Sequence, residues 1–454
     1  MRQNLAFASS AHEQQCILFL LGAIACATRA ADIAVRAAAS NRESAMESGV
    51  LKGRTVVELG SMIAAPFATH ILQQLGAEVI KIEPPAGETT RKLVRGGPSG
   101  SYLAFNRGKQ SLCLDLQSEA GSEIFRELVS RADIVLHNLS PSAARKLGAT
   151  FEDCNALNPG IIFCHIKGYG AGPLAEEVAS NPIAEAATGV MFSNRVAGRP
   201  SRLGPSYHDQ FAGCYAVIAV LSALLSGDDE KRNIELGLYE TGLHIAARDL
   251  LGVQLKTQLL GRPETEPSAE FSIPGYGAYE TSDERWVYLV MLTDEHWRKF
   301  CLATGVAPDP ELATLRARRR ARPRVEEMVS SAVAEFSYDT LADKLSAHGV
   351  GFTEILSTDR VLSTPQATSP GKTSEFGFRD LAFETPDLPL PSMVRNDGLS
   401  AAPPLLGEDT EAVLARLGYD ADTIAAMVAS GAAVLADKEA DLWSRPKVPT
   451  AATS

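Results

Sequence analysis

From residue 53 onward the chain alternates short apolar strands with amphipathic helices, and this alternation limits the possible folds more than any other feature. Thr55-Val-Val-Glu-Leu59 reads as a buried strand, followed over 64–75 by a helix with Pro66 in its first turn. A second strand over 77–83 is stopped by Pro84-Pro85, and further strands are expected over 111–116, 133–137, 161–166 and 232–238. Helices are expected between them over 118–131 and around 143–147. Strands taken in turn with helices predict a mostly parallel sheet with right-handed crossovers, in a doubly wound α/β layer.

Such a sheet invites comparison with dinucleotide-binding domains, whose first strand leads into G-x-G-x-x-G. The turn here is Gly60-Ser-Met-Ile-Ala-Ala-Pro66, with one glycine, so a nicotinamide or flavin enzyme is not expected. The formal net charge of −12 argues against a general nucleic-acid binder but leaves room for a local basic pocket. The seven cysteines are scattered, with no C-x-x-C pair. Neither a disulfide framework nor a metal site is expected, and a reducing, cytoplasmic setting fits small core thiols.

The remaining chain divides by composition. Residues 1–50 form an N-terminal extension. Its apolar run over 16–27 looks like the core of a signal peptide but is too short to span a bilayer, and only Arg2 is basic upstream. An upstream arm is preferred over an organelle-targeting segment. The first part of the large domain covers 51–230. A linker helix and loop follow over 231–274, and a small domain over 275–360 opens on a hairpin at 276–291. The arginine-rich run 315–324 reads as a solvated helix face rather than a docking site for an acidic partner. Residues 361–437 return as an extended segment with two closing helices, and 438–454 form a disordered tail.

The stretch Gly204-Pro-Ser-Tyr-His-Asp-Gln-Phe-Ala-Gly213 leads from a loop rich in Gly and Pro into an apolar helix. Asp209 therefore stands at a helix N-terminus, where a carboxylate is either a cap or an ionised nucleophile.

The order of motifs resembles the class III CoA-transferases of the formyl-CoA and carnitine type, which share their fold with α-methylacyl-CoA racemases. The matching stretches include Gly53-Arg-Thr-Val-Val-Glu-Leu-Gly60, Leu75-Gly-Ala-Glu-Val-Ile-Lys-Ile-Glu-Pro-Pro85 and Phe105-Asn-Arg-Gly-Lys-Gln-Ser-Leu-Cys-Leu-Asp-Leu116. Ala132-Asp-Ile-Val-Leu-His-Asn138, the Asp209 stretch and Pro404-Leu-Leu-Gly-Glu-Asp-Thr410 follow in the same order. The resemblance covers residues 50–430. It implies a Rossmann-like large α/β domain, a smaller α+β domain and an interlocked homodimer acting on an acyl-CoA and a small carboxylic acid.

By that resemblance Asp209 is the catalytic aspartate, and coenzyme A is bound as the substrate thioester. The matching CoA contacts are Ile63 and Ala64, then Leu114, Asp115, Leu116 and Gln117, then Asn138, Leu139 and Ser140, with Lys146. Lys146 is either a phosphate contact or a solvated helix lysine. Some members carry an acid, and racemases a catalytic His, where this chain has Ser180-Asn181. A glycine-rich flap found in some transferases has no counterpart near 261–275. A transferase is therefore favoured over a racemase, which needs two acid–base groups, and over a non-catalytic CoA-binding subunit.

Overall fold

The computed structural model describes residues 49–94, 97–196, 198–228, 232–261, 273–379, 381–391, 394–395 and 401–436. The expected N-terminal arm up to residue 48, most of the segment lacking a flap (262–272) and the tail from residue 437 lie outside the described residues. The chain divides into two compact units, one of residues 1–248 and 369–454, the other of 249–368.

In the larger unit seven strands form one sheet: β1 (Thr55–Leu59), β2 (Glu78–Glu83), β3 (Gln110–Leu114), β4 (Ile134–His137), β5 (Ile162–Lys167), β6 (Asn233–Gly237) and β7 (Ala433–Val434). Their order is β7-β3-β2-β1-β4-β5-β6. Every pairing is parallel except that of β7 with β3. The first six strands thus follow the 3-2-1-4-5-6 order of dinucleotide-binding sheets, with the reversal of strand order between β1 and β4. The glycine fingerprint is missing while the topology that usually accompanies it is present.

Both faces of the sheet are covered, which explains why its strands are nearly continuous apolar runs. On one face Val56, Val79, Ile134, Leu136 and Ile162 pack with residues of the Ala64–Gln74 and Tyr207–Ser226 helices. On the other, Val57, Ile80, Leu112, Val135 and Phe163 pack with Ile124, Phe125, Leu128, Val413 and Leu414. Cys113, Cys154 and Cys164 are buried free thiols in these layers.

The Tyr207–Ser226 helix is long and apolar enough to cross a membrane by length and composition. In this chain its Ala212, Gly213, Ala216, Val217 and Val220 face inward as part of the core. Gly213 permits the close approach: a Cβ there would stand 2.8 Å from Phe67 Cδ1 and 3.0 Å from the Ala64 carbonyl oxygen.

The smaller unit holds a three-stranded antiparallel sheet, Gly277–Glu280, Trp286–Val290 and Gly351–Glu354, with the expected hairpin at its start. The arginine-rich run is not simply a solvated face. Arg318 is buried and donates to the Leu312 and Ala313 carbonyl oxygens and to Asp294, while Arg324 pairs with Asp309. Thr314 caps the helix and turns Arg318 inward, a placement the run of like charges concealed.

The returning segment also differs from an extended strap. Thr373–Phe378 and Leu381–Pro386 form an antiparallel hairpin, with Phe376 opposite Phe383.

Candidate active site

A cavity of about 480 Å³ opens at the carboxyl ends of β1, β4 and β5. It straddles the reversal between β1 and β4, the position where open α/β sheets take their ligands. Ser61 to Ala64, Asn138 to Pro141 and Ile166 to Gly168 follow these strands into its wall. Asn181, Arg202 and Asp209 close it from the other side.

Of the residues expected from sequence, Asp209, Ile63, Ala64, Asn138, Leu139 and Ser140 are brought together around this cavity. Leu114, Asp115, Leu116, Gln117 and Lys146 do not line it. Leu114 is a buried core side chain, and Leu116 packs on the same core. Lys146 Nζ donates to Gln117 Oε1 at 2.7 Å, and both residues are exposed. Two expected contacts have their side chains engaged in the fold. The Asn138 amide holds Ser61 at both ends, accepting from its N–H at 3.0 Å and donating to its carbonyl at 2.8 Å. Ser140 Oγ caps the Pro141–Lys146 helix. Asn138 and Ser140 can therefore meet a ligand mainly by shaping the wall.

The loop after β1 is set from below by a buried charge cluster. Lys81 Nζ donates to Glu58 Oε1 at 2.7 Å and to the Gly60 carbonyl at 2.7 Å. Lys109 Nζ donates to Glu58 Oε2 at 2.8 Å, and Glu88 Oε2 accepts from the Met62 N–H at 3.1 Å. Met62 sits in the left-handed region with φ of 66°, a conformation that costs a side-chain-bearing residue energy unless its surroundings impose it.

Asp209 is not the helix cap that its place in the sequence suggested. Ser206 holds the N-cap position without a side-chain cap, and Asp209 is the third helical residue. Asn181 takes over the capping: its Oδ1 accepts from the His208 N–H at 2.9 Å and the Asp209 N–H at 3.3 Å. The Asp209 side chain lines the cavity from the first turn of that helix. His208 is buried beside Thr188 Oγ1 at 3.3 Å, and a Cβ on Gly242 would stand 2.5 Å from its Nε2. It is a packing residue on another face of the helix.

Burial, and after it the neighbouring Glu185 carboxylate, push the Asp209 carboxyl up from 3.8 to about 7 against the pull of Arg202. A helix terminus favours a carboxylate by roughly 0.3–1 kcal/mol, less than one pH unit. The terminus alone therefore cannot keep Asp209 fully ionised near neutrality, as its position at the helix start had suggested. Glu185 and Arg202 escaped the sequence reading. The one available signal was an acid inside the otherwise apolar Pro182-Ile-Ala-Glu-Ala-Ala187.

Residues 51–410 match the family described as CoA-transferase family III. The chain belongs to CoA-transferase family III. Among similar proteins, a succinate–glutarate CoA-transferase of Agrobacterium fabrum is 29% identical over 391 residues, covering 81% of this chain and 95% of that protein. A formyl-CoA:oxalate CoA-transferase of Streptomyces avermitilis is 29% identical over 337 residues, 69% of this chain and 81% of that one. The crystal structure of a CAIB/BAIF family protein from Brucella suis superposes with a TM-score of 0.73 at 27% identity, covering 82% of this chain and 100% of the other. As a family III CoA-transferase, this enzyme acts on a CoA thioester, and its cavity at the β1/β4 reversal offers one half-buried carboxylate.

Proposed function

We propose that Asp209 is the nucleophile by which this enzyme moves coenzyme A from an acyl-CoA to a carboxylic acid. The observation that carries this reading is a half-buried carboxyl in the first turn of the Tyr207–Ser226 helix, lining the cavity at the sheet's switch point. A carboxylate oxygen of Asp209 attacks the thioester carbonyl, the C–S bond breaks, and CoA leaves as thiolate from a mixed anhydride. The thiolate attacks the aspartyl carbon of that anhydride, releasing the first acid as its carboxylate and leaving aspartyl-CoA. The acceptor carboxylate then attacks this thioester to give a second anhydride and thiolate. Attack of the thiolate on the acceptor's acyl carbon frees Asp209 and the new acyl-CoA. Each covalent step exchanges one activated acyl bond for another, so the thioester's energy is kept from water.

The donor is a short acyl-CoA such as succinyl-CoA and the acceptor a small or dicarboxylic acid, a reading supported by the relatives' substrates and by Arg202 and Lys167 in the cavity wall. Trapping tests the nucleophile. Incubation with succinyl-CoA and hydroxylamine should yield a hydroxamate at Asp209 by peptide mass spectrometry. The yield should climb as pH rises through about 7, because only the ionised carboxyl attacks. A reaction that leaves Asp209 unmodified while the substrate's α-proton exchanges with deuterated water would replace the transferase mechanism with a racemase one.

The working form is a homodimer. Phe211, Ile218 and Leu225 recur every seven residues along the Tyr207–Ser226 helix and are exposed, as are Leu251, Leu255 and Leu259 on the Ala247–Leu260 helix. Continuous exposed apolar stripes of this kind mark association surfaces. Sedimentation equilibrium should give the mass of two chains; a single-chain mass at micromolar concentration would refute the dimer.

A further inference from the structure

Asn181 and Glu185 stand on the Asn181–Ala187 helix, four residues apart and so on one face. Both are buried, Glu185 completely. Glu185 Oε1 accepts from Asn181 Nδ2, which turns the amide so that its oxygen meets the two N–H groups at the start of the Tyr207–Ser226 helix. Glu185 Oε2 accepts from the Leu203 N–H at 3.3 Å, on the loop that leads into the same helix. One carboxylate thus holds both the capping amide and the approach to Asp209. Breaking either bond would leave a buried polar group unsatisfied, so the arrangement is held tightly.

We propose that Asn181 and Glu185 are a positioning pair that caps the helix of Asp209 from outside and, through the Glu185 charge, sets the pH at which Asp209 becomes a nucleophile. Part of this rests on the proposed role of Asp209. Asparagine suits its position because it both accepts from the helix N-terminus and donates to Glu185. An aspartate there would set a second carboxylate against Glu185, and an alanine would leave the two N–H groups without their acceptor. Glu185 raises the affinity of Asp209 for its proton because two carboxylates resist simultaneous ionisation in a poorly hydrated site. The groups facing Asp209 from the surrounding elements are Glu185 from this helix, Arg202 from the loop, and Lys167 and Glu177 across the cavity. Arg202 opposes Glu185, and removing the glutamate charge leaves burial alone to hold the carboxyl up against the arginine's pull.

The test is Glu185→Gln, with the titration of Asp209 followed directly by 13C NMR of protein labelled at aspartate carboxyl carbons and assigned with Asp209→Asn. The Asp209 midpoint should fall by at least one pH unit in Glu185→Gln, and the acid limb of kcat/KM should fall with it. Asn181→Ala should lower kcat at least tenfold at its optimum pH while KM for the acyl-CoA changes less than threefold. An Asp209 midpoint unchanged in Glu185→Gln would overturn the inference, as would Asn181→Ala with unaltered kcat. A midpoint that falls while the acid limb stays put would instead refute Asp209 as the nucleophile and leave the electrostatic coupling standing. Asn181→Asp separates positioning from plain folding: it restores the capping acceptor, so kcat should recover relative to Asn181→Ala, with the acid limb displaced upward by the added charge. If Asn181→Asp neither recovers kcat nor displaces the limb, the pair serves folding only.

Discussion

Replacing Asp209 by asparagine should abolish turnover, lowering kcat by about ten-thousand-fold or more, the scale seen when a covalent nucleophile is removed. Binding of CoA should stay within a few-fold, because the cavity walls after β1, β4 and β5 remain in place. Steady-state kinetics and calorimetric titration with CoA check the two halves separately. A third readout has the opposite sign. Since the folded-state pKa of Asp209 lies above its unfolded value of 3.8, its contribution to stability is full below 3.8 and is lost as pH rises through about 7. At pH 8 the wild-type ion is therefore a burden on the fold, and Asp209→Asn should melt higher than wild type. At pH 4 that gain should disappear. A site that is destabilising where it is active is the usual signature of stability given up for function. Retained turnover in Asp209→Asn would end its assignment as nucleophile.

How much of this was legible beforehand depended on how local the signal was. The strands β1 to β5 could be read because each is a short, largely apolar and buried run set off from the next by a helix. The Ala433–Val434 strand could not, because two residues carry no periodicity and its pairing with Cys113 and Leu114 is more than three hundred residues distant. The hairpin over 373–386 was hidden by polar, proline-flanked sequence whose apolar pairings, Phe376 with Phe383 and Phe378 with Leu381, crowd at the turn end. At the site, Asp209 was visible from its place before an apolar helix. The groups that govern it were not, since Asn181, Glu185 and Arg202 approach from other elements. Ser180-Asn181 stands where racemases carry a catalytic histidine, and the Asn181 side chain caps the helix of Asp209 from outside. On the β3 side, a residue's position after a strand said nothing of whether its side chain turns toward the cavity or, like Leu114, into the core.

The charged residues within apolar strands were a signal of another kind. Glu58 and Lys81 interrupt β1 and β2, where a charge has no place unless it is paired. With Lys109 and Glu88 they form a cluster of two acids and two bases, all buried. Burial would raise the Glu58 carboxyl, but the Lys109 and Lys81 ammonium groups beside it outweigh that and hold it at about 2. The stability from Glu58 is therefore full above its ordinary value of 4.5 and is lost as pH falls toward 2. Lys81→Met removes one member and leaves the cluster with an unbalanced buried charge, at a cost of about 3–5 kcal/mol in urea unfolding. It also frees the Gly60 carbonyl, so the strained Met62 turn should relax and KM for the acyl-CoA should rise. Glu58→Gln combined with Lys81→Met leaves Lys109 facing Glu88 with the charges again balanced, so the double variant should be more stable than Lys81→Met alone. Two losses that simply add would mean that the four groups act independently, and that the loop after β1 is shaped by packing rather than by the charges beneath it.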